Sequence, residues 1–196
     1  MIIGLTGGIG SGKTTIAKWF ESKGIPVYIA DKEAKALMNR SKVIKRKLIA
    51  LFGESAYING KLNRDYIASK IFNEKSLLTK MNAIVHPKVA SHFKHWLKKQ
   101  NAPYVIKEAA IIFENNLEHQ YDYIITVVAD KELRIKRVID RDKVNKSKVE
   151  SIMNNQLSDK EKIEKSNFVI ENNNLEDAKK QAQTIHEFLV KKAEQS

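Results

Sequence analysis

The chain has 196 residues, 42% hydrophobic and 30% charged, a balance that fits one soluble globular domain with a real core rather than a disordered chain. With no cysteine, a disulfide scaffold, a thiolate zinc site, an iron–sulfur cluster and a Cys nucleophile are all excluded. The net charge of +12 suits a protein that handles polyanions, but only Arg40, Arg46, Arg64, Arg134, Arg137 and Arg141 carry guanidinium groups, and a Lys-rich face is often just a solvated one.

There is no run of eighteen apolar residues and no basic-then-apolar leader, so the expected setting is cytoplasmic and away from membranes. The first predicted strand, Ile2–Thr6, runs into Gly7-Gly8-Ile9-Gly10-Ser11-Gly12-Lys13-Thr14, which satisfies G-x-x-x-x-G-K-[ST]. A helix is predicted over Lys13–Lys23, with Gly24 as its C-cap. Strand, glycine loop and helix in that order form a phosphate cradle. Glycines let successive N–H groups turn inward, and the helix N-terminus adds partial positive charge. Gly8, Ile9, Gly10, Ser11, Gly12, Lys13, Thr14 and Thr15 are therefore expected to hold a nucleoside triphosphate. Lys13 would reach the β- and γ-phosphates, and the Thr14 hydroxyl would ligate Mg²⁺.

The second predicted strand, Val27–Ala30, is followed directly by Asp31. A carboxylate beyond a strand's carboxyl end can take a proton from an attacking hydroxyl, although the same position suits an N-cap for a helix beginning at Lys32. The next stretch, about seventy residues, has no convincing strand and is too long for an unstructured loop, so an inserted helical subdomain is expected. Its helical patterns are Lys32–Asn39, Val43–Phe52, Arg64–Phe72 and Leu77–Ile84. His86 is expected at a junction, before a helix over Pro87–Gln100 opened by proline; a capped or packed histidine is the alternative. His92 and His95 lack a third ligand candidate, and Trp19 and Trp96 look like packing residues.

The third strand begins with Tyr104–Ile106. Near its end, Glu108 is placed to hold a water on Mg²⁺ or to pair with a lysine, and Glu114 is a weaker candidate. After the strand Tyr123–Val128, the helix Lys131–Asp140 begins a run in which Arg134, Arg137 and Arg141 can share one face. Arg141 opens a second polar insertion, Arg141–Lys165, where it could neutralise charge on a transferring phosphoryl group. Surface pairing with Asp140 or Asp142 is the alternative, and it weighs more heavily for Arg134. The strand Phe168–Ile170 and the helix Leu175–Lys192 close the chain. This alternation predicts an α/β P-loop NTPase with a five-stranded parallel sheet flanked by helices. In that plan, residues 1–31, 87–140 and 166–196 form the nucleotide-binding core, 32–86 a helical insertion, which the resemblance described next makes acceptor-binding, and 141–165 a helical lid.

Assembled in order, these residues resemble the dephospho-coenzyme A kinase family nearly end to end. Thr6-Gly7-Gly8-Ile9-Gly10-Ser11-Gly12-Lys13 looks like its phosphate loop, and Asp31 matches the Asp after its second strand. Asn59-Gly60-Lys61-Leu62-Asn63-Arg64 with Ile71-Phe72 is similar to D-G-x-L-[DN]-R…[VI]-F, and Asn82–Pro87 to L-N-x-I-x-H-P. Arg137 and Arg141-Asp142 match K-R…R-D, Gln156 matches a lid glutamine, and Phe168–Asn172 resembles D-x-V-I-x-N, which lies by the adenine. The resemblance implies transfer of the ATP γ-phosphoryl to the ribose 3′-hydroxyl of dephospho-coenzyme A. Asp31 would be the base, Lys13 and Arg141 would stabilise transferring charge, and Thr14 would ligate Mg²⁺. Asp31, Arg64 and His86 would bind the acceptor, and Arg137 and Asn172 the nucleotide. Partners would be these two small molecules, without nucleic acid or membrane, and the chain a monomer or weak homo-oligomer. One segment departs from the pattern: the family usually reads D-x-P-L-L-[FY]-E where this chain has Glu108-Ala109-Ala110-Ile111-Ile112-Phe113-Glu114. Glu lengthens the reach of that carboxylate, and Ala110 frees a φ that proline would fix.

Overall fold

The computed structural model describes residues 1–74 and 76–195. In chain order the strands are β1 (Ile2–Thr6), β2 (Val27–Ile29), β3 (Tyr57–Ile58), β4 (Lys61–Leu62), β5 (Val105–Glu108), β6 (Tyr123–Val128) and β7 (Phe168–Glu171). The helices are α1 (Lys13–Ser22), α2 (Ala30–Arg40), α3 (Lys42–Phe52), α4 (Arg64–Asn73), α5 (Ser76–Leu97), α6 (Lys131–Asp142), α7 (Lys146–Asn154), α8 (Asp159–Glu164) and α9 (Leu175–Glu194). The chain divides into two compact units, Met1–Ile29 with Gln100–Ser196, and Ala30–Lys99.

The first unit is built on a five-stranded sheet of order β2-β5-β1-β6-β7. All its pairings are parallel, and β1 sits at the centre with Leu5 beside Glu108 and Thr6 beside Thr126. Because every strand points the same way, their carboxyl ends share one edge, where an open α/β sheet binds its ligands. Ile3 and Leu5 are buried in one core with Ile16 and Phe20 of α1 and Ala182, Ile185 and Leu189 of α9. Between them Gly4 faces the opposite side. A Cβ there would stand 2.9 Å from Ile112 and 3.1 Å from the Tyr121 ring, so close packing requires the glycine.

The second unit packs Leu37, Ile44, Leu48, Phe52, Ile67 and Val85 into its own core. Three expectations are corrected here. First, β2 ends at Ile29 and Ala30 already belongs to α2, so Asp31 lies in the first helical turn rather than at an N-cap. Second, no helix starts at Pro87: α5 runs through it, and His86 is an exposed mid-helix residue rather than a junction. Leu77, Met81, Ile84, Val85 and Val89 all pack on the unit's core, so one apolar stripe continues across the proline and outweighs its lost hydrogen bond. The compact unit that holds this stretch runs from Ala30 to Lys99. Third, the stretch holds a small antiparallel hairpin, β3 with β4, joined by Asn59-Gly60. Both turn residues have positive φ, 50° and 78°, the tight hairpin turn that Asn-Gly favours.

Candidate active site

The phosphate loop leaves β1 at its carboxyl end and enters α1 at Lys13. No side chain caps α1 and no acidic residue lies in its first turn, so its leading N–H groups and partial charge remain available to an anion. Thr14 and Thr15 are exposed there. Lys13 Nζ donates to the carbonyl oxygens of Gly7 (2.8 Å) and Gly8 (3.2 Å), so the cation is folded across its own loop.

The loop glycines are set by what lies behind them as well as by a ligand in front. A Cβ at Gly7 would stand 2.2 Å from the Val127 carbonyl oxygen, at Gly8 2.0 Å from Arg134 Nη2, at Gly10 2.5 Å from the Arg134 carbonyl oxygen, and at Gly12 2.0 Å from Asn172 Nδ2. Each glycine thus brings the backbone against a definite polar group. Asn172 is 3% exposed, and its amide donates to Ser11 O (2.8 Å). Arg137 Nη2 in turn donates to Asn172 O (2.9 Å), while Arg137 Nη1 and Asn172 Oδ1 are buried without a hydrogen-bond partner. Asn172, backed by Arg137, therefore forms the floor of the loop.

The three arginines of α6 separate in an unexpected way. Arg134, weighed above chiefly as a surface ion-pair residue, is 6% exposed, donates from Nε to Ile9 O (2.9 Å) and pairs with Asp159 (2.6 Å). Arg141 is the exposed one. It lies in the last turn of α6 rather than at the opening of an insertion, and grips Asp142 with Nε–Oδ1 at 2.7 Å and Nη2–Oδ2 at 2.8 Å. That bond to Arg141 holds the Asp142 carboxyl below the usual carboxylate range. The fork is the same one a guanidinium offers to a phosphoryl group. Gln156, between α7 and α8, accepts a hydrogen bond from Ile9 N (2.9 Å).

The acidic candidates also part company. Glu108 is 5% exposed at the end of β5, next to β1. Its neighbour Lys107 lies over the Tyr121 ring at 5.3 Å, and burial lowers the pKa of that ammonium group. Successive strand residues face opposite sides, so the two side chains leave β5 on different faces of the sheet. Glu114 is drawn away from any metal role: it pairs with the fully buried Lys162 (2.8 Å) and accepts from Leu157 N (3.1 Å). In the second unit, Asp31 and Arg64 lie exposed in the first turns of α2 and α4, and His86 is exposed on α5. His92 contacts Arg40 (2.8 Å), and no group of three acidic or histidine side chains among the described residues could hold a metal by itself. No helix among them is long and apolar enough to cross a membrane.

Sequence reasoning missed Arg134 and its partner Asp159. The i, i+3 spacing of Arg134 and Arg137 was the available signal, but only the fold shows that both reach the loop.

A family model described as dephospho-CoA kinase matches residues 1–177. The dephospho-CoA kinase of Fusobacterium nucleatum is 40% identical over 189 residues, 95% of this chain and 97% of the relative. A Thermus thermophilus protein of known crystal structure superposes with a TM-score of 0.87 at 30% identity, covering 95% of both chains. The dephospho-CoA kinase from Campylobacter jejuni has the same fold, with a TM-score of 0.71 at 23% identity over 97% of both chains. With matches spanning nearly its whole length, this chain belongs to the dephospho-CoA kinase family.

Proposed function

We propose that this chain transfers the γ-phosphoryl group of ATP to the ribose 3′-hydroxyl of dephospho-CoA, giving CoA and ADP in the last step of CoA biosynthesis. The observation that carries this reading is family membership over residues 1–177, joined to a phosphate loop that ends on an uncapped helix. The loop from Gly8 to Thr15 holds the phosphates through those of its backbone N–H groups that have no acceptor within the chain, and Lys13 exchanges the Gly7 and Gly8 carbonyls for the β- and γ-phosphate oxygens. Arg137 offers its unpartnered Nη1 to the nucleotide, and Asn172 keeps the loop beneath it.

Asp31 accepts the proton of the 3′-hydroxyl as that oxygen attacks phosphorus. Arg64 and His86 bind the acceptor on the second unit. Arg141 trades Asp142 for the transferring phosphoryl group, since a more highly charged anion of suitable shape outcompetes one carboxylate. Residues 32–86 belong to acceptor binding and 141–165 act as the lid. A Mg²⁺ ion fits the donor set, because Thr14 presents an exposed hydroxyl at the start of α1 and Glu108 a carboxylate at the end of the adjoining strand. The ion would neutralise phosphate charge, with Thr14 as the ligand from the loop. The reading includes a cytoplasmic setting and a monomer or weak homo-oligomer.

A coupled ADP-release assay over a panel of acceptors tests the reading. ADP should appear with dephospho-CoA and not with AMP, CMP or shikimate. Turnover on one of those three without dephospho-CoA would make this another small-molecule kinase. Turnover that rises with RNA or DNA and falls steeply with salt would make it a nucleic-acid-stimulated NTPase.

A further inference from the structure

Arg134 touches three consecutive loop residues and one residue of α8. Its side chain lies under Gly8, its Nε holds the Ile9 carbonyl at 2.9 Å, and its own carbonyl oxygen stands against Gly10. Its Nη1 reaches Asp159 Oδ2 at 2.6 Å, and Gln156, three residues before Asp159, takes the Ile9 N–H at 2.9 Å. Both polar groups of Ile9 are thereby bound to α6 and to the α7–α8 segment. A glycine-rich loop has few side chains with which to hold itself, and its glycines lose more backbone entropy on ordering than other residues. An outside anchor that orders it beforehand raises its affinity for phosphate.

We propose that Arg134 is a positioning residue for ATP: together with Asp159 it holds residues 8–10 of the phosphate loop in their binding geometry. The proposal rests on the ATP half of the reading above and is independent of the acceptor. A guanidinium buried to this degree is stable only when paired, and Asp159 supplies the opposite charge. The planar fork allows Nε and Nη1 to serve Ile9 and Asp159 together, which a lysine ammonium cannot do in the same geometry.

The test is equilibrium binding of ATP to the full chain, with thermal midpoint and hydrogen exchange of residues 8–12 recorded on the same samples. Arg134→Gln is expected to weaken ATP binding about tenfold, the effect of losing one charge-assisted anchor, and to speed exchange in the loop. Arg134→Lys should recover Tm without recovering affinity. Gly8→Ala should weaken ATP binding at least about tenfold in the native background but much less beside Arg134→Ala, where the blocking group is gone. If the Arg134 variants do not fold, Asp159→Asn decides, with about threefold weaker binding and faster loop exchange expected. An unchanged ATP affinity in a folded Arg134→Gln or Asp159→Asn protein overturns the proposal. So does full recovery of affinity by Arg134→Lys, or an equal cost of Gly8→Ala in both backgrounds. A native chain that binds ATP but does not phosphorylate dephospho-CoA would remove the acceptor reading and leave this test intact; one that binds no ATP would remove both.

Discussion

Lys13, Arg137 and Asn172 are held by backbone carbonyls, whereas Asp31, Arg64 and His86 stand exposed on the helices of the second unit. On the function proposed above, the contrast follows from what each region would bind. A triphosphate is recognised largely by backbone N–H groups, which must point inward before the ligand arrives, so the loop is moulded on Asn172 and the arginines of α6. Asp31, Arg64 and His86 would meet an acceptor through charged and polar side chains, which are costly to bury without a partner. The unit that carries them has a separate hydrophobic core and needs none of these residues for its packing.

The sharpest way to break this contrast is to remove one residue from each side. Asp31→Asn is expected to lower turnover about 10²–10⁴-fold, the usual range for a general base, with ATP binding retained. Near-normal turnover would take Asp31 out of that role. Lys13→Ala should cut phosphoryl transfer by roughly two to three orders of magnitude, and unlike Asp31→Asn it should weaken ATP binding as well. An unchanged rate would contradict the loop assignment itself.

Smaller effects separate moulding of the loop from simple backbone strain. Gly12 and Gly24 both have positive φ, 93° and 80°, but only Gly12 has a neighbour, Asn172 Nδ2, where a Cβ would go. Gly24→Ala should cost about 1–2 kcal/mol from backbone strain alone, and Gly12→Ala on the order of 1–3 kcal/mol more from overpacking, as read by chemical denaturation. Equal costs would mean that the Asn172 contact does not shape the loop. The smallest effect lies away from both regions. Burial holds His186 below the ordinary imidazole range, and its Nδ1 lies 2.6 Å from the hydroxyl of Tyr104, a phenol whose pKa burial raises. The unfolded chain takes up that proton more readily, so stability should fall as pH drops below about 6.5, by less than about 1 kcal/mol for a partly exposed ring. His186→Gln should flatten this part of the Tm–pH profile, and an unaltered profile would exclude the ring as its source.

Much of this was legible in the residues. The five core strands follow from short apolar runs, and the loop from its glycine and lysine spacing in a strand-to-helix setting. Asn59-Gly60 carried a hairpin signal that the surrounding helical patterns obscured. Pro87 misled because local stereochemistry argues for a helix start, while the apolar stripe from Leu77 to Val89 argues for continuity. Tertiary packing settled that conflict in favour of the stripe. The roles of Arg134 and Arg141 could not be ranked from spacing, since both lie on a charged helix and differ only in what the fold brings near them.

The amino-acid sequence alone determined the phosphate loop, the parallel α/β core and the family, because each depends on local spacing or on ordered motifs. Which arginine is buried under the loop, which carboxylate answers it, and which glutamate is diverted to Lys162 were decided only by tertiary structure. Those choices depend on contacts between residues as far apart as Ile9 and Gln156, or Ser11 and Asn172, and no local pattern encodes a distance of that kind.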